Sequence, residues 1–238
     1  MNKKAIIALS IAIVIPLMFY FVVKYATEKN VHMPRRYLLD SVVTSVKDGK
    51  MKTDSVWHVT KNITLVNQLG DTVSLYDIKN KSIVIDFFFT SCGSICPRLT
   101  ANMQKLQESF LRGGNVRRKP DSTIVHFLSF TVDPEFDTVQ RLKEYADAHN
   151  VNHDNWWFLT GNKRAIYDFA FEELKVDKFS EEEISPDFVH TNRFVLLDRE
   201  YRVRGYYNGL DSSSMSALAR DIGLLMLEKD PKKKRKFF

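Results

Sequence analysis

Cys92 and Cys96 stand four positions apart in the run Phe87-Phe88-Phe89-Thr90-Ser91-Cys92-Gly93-Ser94-Ile95-Cys96-Pro97, where an apolar stretch gives way to a helical pattern. They are the only cysteines in the chain. At the start of a helix two thiols at this spacing can face one point, and the positive end of the helix dipole there favours thiolate over thiol. A thiolate pair binds a soft metal ion or closes into a disulfide. His190, in Asp187-Phe188-Val189-His190-Thr191, lies far along the chain but directly before another buried-strand pattern. Two sulfurs and one imidazole suit copper, because sulfur favours Cu(I) and imidazole also accommodates Cu(II). A purely structural disulfide is the plain alternative, although so short a loop removes little entropy from the unfolded chain.

These residues need elements to position them. Ile63 to Gln68 and Thr72 to Tyr76 read as strands joined by a turn at Leu69-Gly70-Asp71, so they form a hairpin. Ser82 to Phe89 is almost continuously apolar and β-branched or aromatic, the composition of a central strand buried on both faces. Leu99, Met103, Leu106 and Phe110 then recur at helical spacing after Pro97, up to Gly113-Gly114. A strand over Thr123 to Phe130 follows, then a helix capped near Asp137-Thr138 that carries Leu142, Tyr145 and Ala146. Next come a strand at Trp156 to Leu159, a helix around Ala165 to Phe171, strands at Arg193 to Asp198 and Tyr201 to Tyr207, and a helix from Ser213 to Leu227. Strand, helix, strand, helix, then hairpin and helix is the order of a thioredoxin-like α/β domain. That fold would bring His190, just before its strand, to the cysteines.

The 238 residues hold one core of ordinary size plus extensions. Of the formal charge of +6, five units come from Lys232, Lys233, Lys234, Arg235 and Lys236, which leaves about +1 for the rest. A near-neutral body argues against a nucleic-acid surface. The tail reads as a solvated end, with Phe237-Phe238 able to touch a membrane surface. At the other terminus Lys3-Lys4 precedes an apolar stretch from Ala5 to Val23, broken only by Ser10 and Pro16 and long enough to span a bilayer. Phe19 to Val23 offers no small-x-small cleavage site, so the segment reads as an uncleaved anchor. The expected organisation is an anchor over 1–26, a spacer over 27–60, a copper or redox domain over 61–230 and a basic tail over 231–238. Asn62-Ile63-Thr64 matches a glycosylation sequon.

Three blocks, in order and spacing, resemble the Sco (SenC) family of membrane-anchored, thioredoxin-like copper proteins. They are Phe88 to Pro97 with its Cys-x-x-x-Cys-Pro, Ser129 to Thr138 with Asp133-Pro134-Glu135 and Asp137-Thr138, and His190-Thr191 leading into a strand. Between the cysteines the chain carries Gly93-Ser94-Ile95, where many members have Pro-Asp. The resemblance implies a thioredoxin-like fold with an added N-terminal β-hairpin, preceded by one transmembrane helix. It implies copper held by Cys92, Cys96 and His190 and supplied to a respiratory cytochrome oxidase subunit. It also implies a single pass through the inner (cell) membrane, with the C-terminal domain on the periplasmic or extracytoplasmic side.

A thiol-disulfide oxidoreductase that reduces the cysteines of that partner is the alternative; it needs Cys92 and Cys96 but not the histidine. A peroxiredoxin-like peroxidase fits less well, because here a second cysteine occupies the loop. Among the other histidines, His126 reads as core, and His32, His58, His149 and His153 as exposed. Asp133-Pro134-Glu135 reads as a turn with Asp137 as helix cap, with a place beside the metal as the alternative.

Overall fold

The computed structural model describes residues 3–30, 33–47, 50–112, 124–178 and 191–228. The chain divides into two units, Met1–Met33 and Pro34–Phe238. The first contains α1 (Lys3–Asn30), one 28-residue helix with Pro16 inside it. Its described side chains, from Ile11 to Tyr25, are exposed on every side. Among the described residues no helix is long and apolar enough to cross a membrane.

The second unit is built on a seven-stranded mixed sheet, and its element order is the thioredoxin-like α/β order expected. The strands are β3 (Thr64–Asn67), β4 (Thr72–Ser74), β5 (Ser82–Phe88), β6 (Val125–Thr131), β7 (Trp156–Thr160), β8 (Arg193–Leu197) and β9 (Val203–Asn208). Their spatial order is β4-β3-β7-β6-β5-β8-β9. β5, β6 and β7 run parallel, and the remaining pairings are antiparallel. The expected β3–β4 hairpin forms for a local reason: the Asn67 side-chain oxygen accepts from the backbone N–H of Leu69 and of Asp71, and Gly70 takes φ 87°.

β5 is buried along its whole length, as its composition predicts. Period two splits its side chains: Ile83, Ile85 and Phe87 join one core, Val84 and Phe88 the other, and Asp86 falls in register with the second pair. That second face carries α2 (Cys96–Arg112), α3 (Val139–Ala148) and α5 (Ser212–Leu227), through Leu99, Met103, Leu142, Ala146, Leu218 and Ile222. The opposite face is covered by α4 (Lys163–Asp168), whose chain continues into a π-helical turn over Phe169–Glu173. The wider turn buries Phe169, Ala170 and Glu173 together, where a plain helix to Phe171 was expected.

The stretch expected as a spacer carries regular structure. β1 (Leu39–Lys47) and β2 (Lys50–Trp57) form an antiparallel two-stranded sheet of their own. Val42, Val43, Val46 and Met51 are all exposed, so neither face selects for alternation and no period marks these strands in the sequence. The hairpin is fixed at its base, where Tyr37 N–H donates to Val203 and Thr60 N–H donates to Tyr201. The His58 ring bridges Asp40 Oδ1 and Glu173 Oε2, each at 3.0 Å.

Candidate metal centre

The chain leaves β5 at Phe88 and turns at once. Cys92 N–H donates to the Phe89 carbonyl at 3.2 Å, and the Ile95 carbonyl accepts from Arg98 and Leu99 to open α2. Cys96 is therefore the first helical residue, and its backbone N–H points at the Cys92 sulfur, 3.4 Å away. An N–H that a helix start leaves without an intrahelical acceptor is thus satisfied by a thiol sulfur. The Ser94 hydroxyl lies 3.7 Å from the same sulfur. The two cysteines stand as thiols, 6% and 1% exposed, packed with Phe88 and Leu99.

The electrostatics differ from the sequence expectation. Burial pushes the Cys96 thiol far up, and the Cys92 thiol in hydrogen-bond contact pushes it further. The helix dipole favours thiolate, but desolvation wins at Cys96 and its protonated form is the stable one in the metal-free chain.

Two residues that sequence reasoning did not single out stand beside the thiols. Asp86 is 1% exposed, and burial raises its carboxyl to about 7 against the opposing pull of the Ser129 hydroxyl. Its charge bears on both Cys96 and Tyr145. The available signal was a single carboxyl in an otherwise apolar strand. Tyr145 packs against Phe88 with ring centroids 5.3 Å apart, and its hydroxyl lies 2.9 Å from that of Thr100, one turn beyond Cys96. Its phenol is pushed up, first by burial, with the two thiols and Asp86 adding to the effect.

Asp137 holds the loop from the other side. It is fully buried, and its carboxylate accepts from the Thr90 N–H at 3.1 Å, from the Thr90 hydroxyl and from the Thr131 hydroxyl. The helix cap expected at this residue is Thr138 instead, whose hydroxyl accepts from Arg141 N–H. Asp137 is consumed in tying the end of β5 to the end of β6. Asp133 does form the expected turn, its carbonyl accepting from Phe136 and Asp137.

His190 lies outside the described residues, which resume at the buried Thr191. His32 and the Gly113-Gly114 helix end fall outside them too. Among the described residues no group of three or more His, Cys, Asp or Glu side chains is placed to hold a metal. His126 is core, as expected, 2% exposed and edge-on to Trp157. The other three histidines read as exposed are half-buried and engaged: His58 between two carboxylates, His149 stacked on Tyr145, and His153 against Asp147 and Gln68. The sequon residue Asn62 accepts hydrogen bonds from Ser74 and Tyr76.

Comparison with known proteins agrees with this architecture. The SCO1/SenC family model matches residues 52–226. The SCO1 protein homolog of Bacillus subtilis (strain 168) is 31% identical over 175 residues, covering 73% of this chain and 86% of that protein. A solved structure of BsSco, a member of the Sco family of cytochrome c oxidase assembly proteins with an identified disulfide switch, superposes with TM-score 0.59 at 31% identity, covering 72% of this chain and 95% of that one. Yeast Sco1 with copper bound shares the fold at TM-score 0.53 and 19% identity, covering 74% of this chain and 98% of that one. A two-cysteine loop between β5 and α2 on this fold, matched along three quarters of the chain, makes the protein a member of the SCO1/SenC family.

Proposed function

We propose that the chain is a membrane-tethered copper carrier that takes copper as cargo on Cys92, Cys96 and His190 and supplies it to the copper subunit of a respiratory cytochrome oxidase. The observation that carries this reading is the pair of thiols at the start of α2, with the Cys96 N–H directed at the Cys92 sulfur in an almost water-free pocket. Two sulfurs in such a place match the soft, low-coordinate preference of Cu(I), and an imidazole from His190 would extend the set to Cu(II). The membrane anchor in this reading rests on the family resemblance and on the apolar sequence from Ala5 to Val23, not on a membrane-spanning helix among the described residues. The domain would then stand on the extracytoplasmic side.

The test is copper stoichiometry with Cu(II) absorption and EPR spectra, on wild type and His190→Ala side by side. One copper per chain with sulfur-to-copper charge transfer, lost in the variant, is the expected result. A His190→Ala chain that keeps the full Cu(II) signal removes His190 from the site.

The thiol pair also supports a second reading, an oxidoreductase, and the disulfide switch of BsSco favours keeping it. The Cys92 sulfur attacks a partner disulfide and expels one partner thiol; Cys96 then attacks the mixed disulfide and releases the second. The chain ends as a Cys92–Cys96 disulfide and the partner as a dithiol, a two-electron exchange with no other reactant. A chain that binds no copper yet reduces disulfides stoichiometrically would make this the primary activity.

A further inference from the structure

α2 and α5 share one face of the sheet and send Leu99, Met103, Leu218 and Ile222 into a common core. Above that core the helices stand apart, and an open groove of about 680 Å³ runs between them. Half-buried Ala101, Leu210, Met215 and Ala219 line it with apolar surface, and exposed Arg98 and Lys105 edge it on α2. Among the described residues no acidic side chain lines it. Arg98 is two residues beyond Cys96, and Lys105 follows it on the same side of α2, about 10 Å further along the axis. The groove therefore begins within the first turn of α2, the turn that Cys96 opens, and runs away from it along the helix.

Exposed Lys143 and Arg164 each find a carboxylate four residues on, at Asp147 and Asp168. Among the described residues Arg98 and Lys105 make no ion pair, although both border apolar surface.

We propose that this groove seats an amphipathic acidic segment of the copper-accepting protein. Its carboxylates meet Arg98 and Lys105, its apolar side chains cover Leu210 and Met215, and its own metal ligands are carried up to Cys92 and Cys96. The identity of the partner rests on the copper-carrier reading above; the acidic, amphipathic chemistry of the segment rests on the groove alone.

The experiment uses the full chain in detergent and a fluorescein-labelled amphipathic peptide with glutamates one heptad apart and leucines between them, against the same peptide with lysines for glutamates. Anisotropy should show the acidic peptide binding about tenfold more tightly than the basic one, the scale that two exposed ion pairs supply, with the difference shrinking as salt rises. The double variant Arg98→Glu/Lys105→Glu should reverse the preference, at unchanged thiol count and copper stoichiometry. Acidic peptides that also carry two cysteines should take Cu(I) from the loaded chain faster than their basic counterparts. Equal binding of both peptides, a preference that survives the double reversal, or displacement of the peptide by self-association of the chain overturns the proposal. A wild-type chain that takes up no copper overturns the carrier reading instead, and the anisotropy arm still decides the groove.

Discussion

Replacing Asp137 by Ala tests the idea that the thiol loop is held by its neighbour across the sheet rather than by the cysteines themselves. The carboxylate is fully buried and accepts from the Thr90 N–H, the half-buried Thr90 hydroxyl and the buried Thr131 hydroxyl. Hydrogen bonds to a carboxylate contribute about 1.5–3 kcal/mol each, and they are not additive because the three share one acceptor group. Truncation also leaves the donors without partners, so the expected loss is about 3–5 kcal/mol in urea unfolding of the reduced, metal-free chain. The second readout is local: Cys92 is alkylated from the native state only when its loop opens. Each 1.4 kcal/mol removed from that opening raises the rate about tenfold, so a loop weakened by about 3 kcal/mol reacts about a hundredfold faster. Asp137→Asn keeps one acceptor oxygen and should fall between the two. Native-state alkylation of Cys92 at the wild-type rate in Asp137→Ala would refute the reasoning, whatever the global stability, because it would mean that Thr90 is held by something else.

Two further expectations concern stability. Burial lowers the His126 imidazole to about 3 from its ordinary 6.5. The unfolded chain therefore takes up a proton as pH falls through about 6.5 and the folded chain does not, so stability is lost progressively from there down to about pH 3. At about 1.36 kcal/mol per pH unit the loss attributable to this residue is roughly 5 kcal/mol, and the difference between wild type and His126→Leu in urea titrations across that window isolates it; parallel curves would place the imidazole in water. Arg204, whose side chain is 2% exposed, pairs with Asp198 at 2.9 Å and Glu228 at 2.6 Å and donates to the Pro34 carbonyl. Arg204→Leu strands Asp198 in the interior and should cost about 3–5 kcal/mol in the same assay, with a loss below about 1 kcal/mol showing that the pair only breaks even against its desolvation.

What the sequence made legible follows from how each signal arises. The continuous apolar run of β5 and the helical spacing of Leu99, Met103 and Leu106 are produced by the same burial that holds them in the core, so composition reports them directly. The cysteine pair was legible because two thiols at one spacing before a helix have few other uses. Asp86 was not, since one carboxyl among isoleucines and phenylalanines carries no periodic signal, and its importance comes from a thiol contributed by another element. Asp137 was misread for a related reason: Asp followed by Thr at a helix start fits two caps equally well, and only the approach of Thr90 from 47 residues away decides that Thr138 takes the role. The β1–β2 hairpin escaped because sequence patterns record which face is buried, and this hairpin buries neither.

One guanidinium joins the two ends of the described domain: Arg204 holds the carbonyl of Pro34, where the second unit begins, and the carboxylate of Glu228, the last described residue, just past α5. In topological terms the domain is a ring closed by a non-covalent clasp. A circular permutant that joins residue 228 to residue 34 through a short peptide and opens the chain at the β3–β4 turn would keep every strand pairing of the sheet. For the same reason a fusion after Glu228 and the natural N-terminal segment pull on a single point, so a load applied between them stretches the clasp before it reaches the β5–α2 turn that carries the thiols.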